Sequence, residues 1–278
     1  MGRAERLRKS GWRALAALVA VWVGAAAPAA DARGRGADGR FERRTSAHFT
    51  LHQDVDIDEA GGFNGSRRFE DEVLGELERA YDALEQATGL RPERRLDVVV
   101  DDPGLYDQQF AALFRFQSAG FYAGFIRVRG DTRLTAPLSR TLHHELFHAA
   151  LDAVSPSVVY PAWVNEGVAE WFEYRTAGVR TMPVRGHEIL AQLAEQNALL
   201  PLGTLSLPNY ARLDNDSAQL AYLQSYAMVD YLVRSAGERS LPRFLDELVR
   251  SRDVNRSLQR VYRVDVRELE AGFLGELQ

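Results

Sequence analysis

The sequence predicts an α+β fold: a small mixed sheet from the first half of the chain, a buried helix following it, and then a mostly helical C-terminal lobe. Three observations predict it. Strand-like runs fall before residue 130, whereas apolar spacing of helical period occupies residues 138–154 and recurs from residue 162 to the end. No cysteine is present, so neither a disulfide framework nor a cysteine-ligated metal supports the fold. With 46% hydrophobic residues in 278, the chain is rich and long enough to bury one sizeable core after its first segment is removed.

That first segment, residues 1–32, reads as an export signal. Arg3, Arg6, Arg8, Lys9 and Arg13 form a basic start, residues 14–27 an apolar core, and Ala30-Asp31-Ala32 a small-residue cleavage pattern. The apolar core is too short for a membrane span, so the expected destination is periplasmic or secreted, with no stable span after cleavage. Residues 33–45 alternate arginine and glycine and read as a solvated linker, leaving residues 46–278 as the domain.

Within the domain, residues 47–55 alternate as a strand, 68–88 form an amphipathic helix and 96–100 a short buried strand. Residues 120–129 read as one further strand with Phe121, Ala123 and Phe125 on a common face. Leu138, Leu142, Leu146, Ala149, Ala150 and Val154 then give a helix with Pro137 in its first turn, where proline is tolerated. A second helix follows Tyr160-Pro161 and spans about 162–174, with Val164, Val168, Trp171 and Phe172 on its apolar side. Helices are expected beyond it at about 187–199, 217–235, 239–251 and 266–277, the last with Asp265 as N-cap.

The formal charge is −5, and it becomes −8 without residues 1–32, which hold five basic and two acidic side chains. An acidic protein lacks the basic footprint that nucleic-acid phosphates require, so nucleic acid is not an expected partner. Lys9 is the single lysine, a bias of base composition in a GC-rich bacterial genome rather than a binding signature.

The chemistry concentrates in two short runs. In His144-Glu145-Leu146-Phe147-His148 the two histidines stand four apart on the helix, one turn apart on one face, so both rings can reach one metal ion. A catalytic Zn²⁺ takes three protein ligands and leaves one position open, and Glu166 on the next helix suits the third. Glu145 lies beside the pair, placed to accept a proton from water at the open position. Glu166, Glu170 and Glu173 share a helix face at i, i+4 and i+7, and such acids repel unless a cation or donors compensate them. A ligand set with a third histidine further along is excluded, because the required glycine and histidine positions hold Leu151 and Val154. Asp152 is expected to cap or face solvent rather than bind metal.

These runs resemble the gluzincin metallopeptidases, and specifically the peptidase MA-like domain of bacterial proteins. The resemblance rests on His144 to His148, on Pro161-Ala-Trp-Val-Asn-Glu-Gly-Val-Ala-Glu-Trp-Phe and on Ala221-Tyr-Leu-Gln-Ser-Tyr-Ala-Met-Val-Asp-Tyr-Leu, and it extends from about residue 46 to the C-terminus. It implies a zincin-like fold, one Zn²⁺ per chain on His144, His148 and Glu166, and Glu170 as an outer carboxylate holding a zinc-bound histidine. It also implies that Tyr222 supplies the hydroxyl that holds the oxyanion, with Tyr226 packed in the lobe. The strand before the active-site helix becomes the substrate-facing edge, where a peptide adds as a further strand. No Gly-Ala-Met-Glu-Asn-like motif is found upstream, which leaves recognition of a substrate amino terminus unsupported.

The implied function is zinc-dependent hydrolysis of peptide bonds, with Glu145 as general base passing its proton to the leaving amine. Two alternatives stand beside it: a non-catalytic binding module of an envelope assembly, and a hydrolase of a cell-wall peptide amide. His143, about 100° around the helix from His144, is expected to pack or meet a carbonyl, and His48, His52 and His187 carry no expected role.

Overall fold

The computed structural model describes residues 19–22, 42–55, 65–110, 112–116 and 118–278. The fold is mixed α+β and mostly helical, with a small mixed sheet, in agreement with the predicted class. Strands β2 (Glu42–Thr45), β3 (Phe49–Gln53), β4 (Leu96–Asp101), β5 (Ser118–Tyr122) and β6 (Ile126–Arg129) make the body of the sheet, and a short strand β1 (Val19–Trp22) adds to its edge. The order is β1-β5-β6-β4-β3-β2. Strands β3, β4 and β6 run parallel in the middle, and β2 and β5 run antiparallel to their neighbours β3 and β6. Central parallel strands are covered on both faces, which is why Leu96 to Asp101 reads as a nearly continuous apolar run and is buried at five of six positions.

The ten described helices are α1 (Gly65–Thr88), α2 (Pro103–Phe110), α3 (Ala136–Val154), α4 (Ala162–Thr176), α5 (Val184–Glu195), α6 (Leu202–Leu205), α7 (Asn215–Ala236), α8 (Ser240–Ser251), α9 (Val254–Val261) and α10 (Val266–Glu276). None is long and apolar enough to cross a membrane. Helix α3 lies against β5 and β6, flanked by α1 and α4, while α7 runs along α4. Thr135 caps α3 by accepting from the Leu138 amide, and Pro137 occupies the first turn as expected. Asp265 caps α10 in a reciprocal capping box with Glu268, as its position before the helix predicts.

The sequence reading needs correction at three places. Residues 120–129 are not one strand but the hairpin β5–β6, with Tyr122 opposite Ile126. Gly124 makes the turn at φ +84°, an angle that glycine adopts without strain, and the Phe121, Ala123, Phe125 alternation crosses that turn. The end of the supposed linker folds: β2 pairs with β3, and Arg44 reaches Glu70 at 3.2 Å and Asp71 at 2.5 Å, so its charge is used rather than merely solvated. Helices α2, α6 and α9 were not expected, because eight, four and eight residues give too few turns for an apolar period to register. The expected signal lies outside the described residues apart from Val19–Trp22.

Gly167 sets how closely α4 and α7 approach. A Cβ there would stand 2.5 Å from the Ser225 carbonyl oxygen and 2.9 Å from Val229 Cγ2, so the two helices fit only without a side chain. Gly167→Ala should force α7 outward and cost about 1–3 kcal/mol, the usual penalty of overpacking, read as a lower urea midpoint. An unchanged midpoint would show that the helices can slide apart freely.

Glu70 yields a second prediction. Its side chain is buried against Glu42 and Arg44, and burial, with Glu42 beside it, pushes its carboxyl from 4.5 up to about 7 despite the Arg44 guanidinium. A folded state that holds the proton more tightly than the unfolded chain is favoured below about pH 4.5, and that contribution is lost as pH rises to about 7. Glu70→Gln, which keeps the neutral form, should therefore lose less stability than the parent between pH 5 and 8 in paired urea titrations. An equal or larger loss in the variant contradicts this.

Candidate active site

Helix α3 is buried through its middle, and His144, Glu145 and His148 are at most 1% exposed. Side chains of this kind stay dry only when partnered. Helix α4 supplies the partner: Glu166, fully buried, places Oε2 3.3 Å from His144 Nε2 and 3.4 Å from His148 Nε2. The three ligand atoms lie within 4.8 Å of one another. These separations are long for charge-assisted hydrogen bonds, which run at about 2.7–2.9 Å. They match the spacing of atoms around a tetrahedral zinc, which with bonds of about 2.0–2.1 Å stand about 3.3–3.4 Å apart. His148 Nε2 and Glu166 Oε1 have no well-formed hydrogen bond among the described residues, as expected of atoms whose partner is an ion. The donor set fits zinc.

The outer nitrogens decide which lone pairs face inward. His148 Nδ1 lies 3.2 Å from Asn165 Oδ1, and His144 Nδ1 lies 3.3 Å from Glu173 Oε2. A ring that donates from Nδ1 leaves Nε2 free to bind metal. Both Glu173, at 3.3 Å, and Glu170, the acid expected there, at 3.9 Å, stand against His144 Nδ1, and Glu173 is the nearer. Arg140 in turn holds Glu173 at 2.6 Å. Sequence reasoning gave no role to Asn165, Glu173 or Arg140. The signal for Arg140 was its position one turn before His144, and for Glu173 its place on the Glu166 face.

Glu145 has no such support. Both of its carboxylate oxygens are buried without a hydrogen-bond partner among the described residues. Burial raises its pKa well above the ordinary value, and the Glu166 and Glu173 charges add to this against His144. Glu166 is held down at about 2, because His148 and His144 outweigh the burial that would raise it. His144 is raised: burial opposes this, and the Glu166 and Glu173 carboxylates win. His148 is lowered, chiefly by burial. The pKa values of these two carboxylates are thus driven in opposite directions, Glu166 down and Glu145 up.

Strand β5 passes directly over this group. A Cβ on Gly120 would stand 3.2 Å from Glu145 Oε1 and 2.6 Å from Thr141 Cγ2, so the strand lies on the helix only because residue 120 has no side chain. From the other side, α7 brings Tyr222, 1% exposed, with its ring 6.4 Å from that of His144 and 5.3 Å from that of Tyr210. Its pKa is raised well above the ordinary value by burial and then by the Glu166, Glu170 and Glu145 charges. Tyr226 instead packs on Tyr174, ring to ring at 4.8 Å.

The remaining candidates lie outside the cluster. His143 turns away, with Nδ1 2.7 Å from Thr176 Oγ1 and Nε2 3.0 Å from Glu76. His48 stacks on Tyr81 and meets Glu78, His52 lies 3.9 Å from Asp97, and His187 is exposed on α5. Asp152 accepts a hydrogen bond from the Tyr122 hydroxyl at 2.7 Å.

Comparison with known proteins agrees with this geometry. No curated protein matches the chain. The family model of the peptidase MA superfamily matches residues 80–276, a stretch that contains both histidines, Glu145, Glu166 and Tyr222 and more than half of the chain, so this protein belongs to the peptidase MA superfamily.

Proposed function

We propose that the chain is an exported, zinc-dependent metallopeptidase of gluzincin type that hydrolyses peptide bonds. Family membership points to a metallopeptidase, and the observation that carries the finer reading is the convergence of His144 Nε2, His148 Nε2 and Glu166 Oε2 beside an unpartnered buried Glu145. Export is inferred from the leader-like composition of residues 1–32. His144, His148 and Glu166 would hold the zinc, which would supply Lewis acidity toward water and the substrate carbonyl.

The protein's own groups divide the remaining work. Glu145 takes the proton of the attacking water and delivers it to the departing amine. Tyr222 donates its hydroxyl proton in a hydrogen bond to the oxygen where negative charge develops. Asn165 and Glu173 keep the imidazoles oriented, and Arg140 keeps Glu173 in place.

The purified protein should carry about one zinc per chain by elemental analysis, in keeping with a three-ligand site. Glu145→Gln should retain that zinc and lose about a hundredfold to ten-thousandfold in turnover, whereas His144→Ala should lose zinc as well. Wild-type turnover in Glu145→Gln would favour the binding-module reading.

Tyr222→Phe should lower turnover by about 2.7–4 kcal/mol of transition-state stabilisation, with zinc content and KM nearly unchanged. The same loss from Tyr226→Phe, with none from Tyr222→Phe, would transfer the role to the other tyrosine.

A further inference from the structure

At the N-terminal end of β5 lies a cavity of about 450 Å³ that the mechanism above does not use. It is within the size range of small-molecule sites. Its lining is largely aromatic, with Tyr106, Phe110, Phe114 and Phe116, and it ends at Ser118, the first residue of β5. Two features tie it to the reaction centre. Ser118 stands two residues before Gly120, whose backbone lies on Glu145, so this part of the lining is about 7 Å along the strand from the residue that meets the general base. The Tyr106 hydroxyl, in a side chain 3% exposed, lies in the field of Glu145 and beside Ser118, yet it has no hydrogen bond of good geometry among the described residues.

The edge of β5 accepts an extended segment, since β1 pairs there in parallel with Val19 opposite Ser118 and Trp22 opposite Tyr122. Residues 19–22 belong to the stretch read as an export signal, whose removal would leave that edge to another chain. A peptide laid along β5 with its scissile bond at Glu145 presents alternate side chains to one side, and one of them falls at the cavity mouth.

The rim narrows the choice of side chain. Asp107 is taken by Arg129 at 2.8 and 3.0 Å, so it offers no uncompensated carboxylate to a basic residue. Arg115, exposed at the mouth, repels one. We propose that this cavity is the specificity pocket of the enzyme, taking a large apolar or aromatic side chain one or two residues from the scissile bond of a peptide bound along β5. The proposal rests on the peptidase reading and adds the substrate class to it.

The test uses the zinc-loaded protein and an alanine-rich peptide library in which a single position is Phe, Leu, Lys or Glu, with cleavage sites read by mass spectrometry. Phe and Leu peptides should be cut about tenfold or more faster than the others, always at one fixed distance from the apolar residue. Phe114→Ala should reduce that preference while sparing zinc content. Arg115→Glu, a surface change that should not disturb folding, should raise kcat/KM for the Lys peptide relative to the Glu peptide. Affinity of the same peptides for Glu145→Gln, measured by calorimetry, gives a readout independent of turnover. Selective binding of Phe peptides without cleavage by the parent would sink the peptidase reading and keep the pocket. Cleavage without apolar preference, preference unmoved in both variants, or a dominant preference for Lys or Glu would overturn the pocket alone.

Discussion

The buried charge between α3 and α4 is the constraint on which the rest of this structure depends. Glu145, Glu166, Glu170 and Glu173 are all at most 4% exposed, and the imidazoles of His144 and His148 lie among them. Four acids buried beside one arginine, Arg140, and two titratable rings must be either protonated or compensated, because a dry interior does not tolerate uncompensated charge. A divalent cation at the point where the two Nε2 atoms and Glu166 converge would supply compensating positive charge. Burial of Glu170, next to the charge of Glu173, raises its pKa, so that the neutral form lowers the remaining repulsion.

That constraint explains the packing around it. Glu166 reaches the histidines only if α4 lies close to α3, and Tyr222 reaches them only if α7 lies close to α4. Gly167, adjacent to Glu166, permits the second approach, and Gly120 permits the corresponding approach of β5 to α3. Two residues without side chains therefore let a backbone edge approach Glu145 and a tyrosine approach His144. The helical lobe does not merely cover the sheet; α7 closes the site.

The same geometry separates duties between groups of like chemistry. Glu166 and Glu145 differ in partners: Glu166 faces two imidazoles, while Glu145 faces strand β5 and has no hydrogen-bond partner among the described residues. His144 and His143 are neighbours in sequence but point about 100° apart, toward Glu166 and toward Glu76 respectively. Assigning roles from residue type alone would have confused both pairs.

Much of this was legible in the sequence, for reasons of period. Helical spacing puts His144 and His148 on one face wherever that helix forms, and long amphipathic runs such as 68–88 and 217–235 announce helices that the structure then displays at Gly65–Thr88 and Asn215–Ala236. What period cannot report is distance between elements. The choice of Glu173 over Glu170 beside His144 turns on 3.3 against 3.9 Å, which depends on the rotation and separation of two helices rather than on the face both acids share. The hairpin at Gly124, the aromatic cavity beside Ser118 and the closeness of Gly167 to Ser225 have the same origin. The sequence by itself determined which atoms could serve as ligands and base; only tertiary packing decided which side chain orients each ring and what lines the approach to them, because those outcomes rest on contacts between segments distant along the chain.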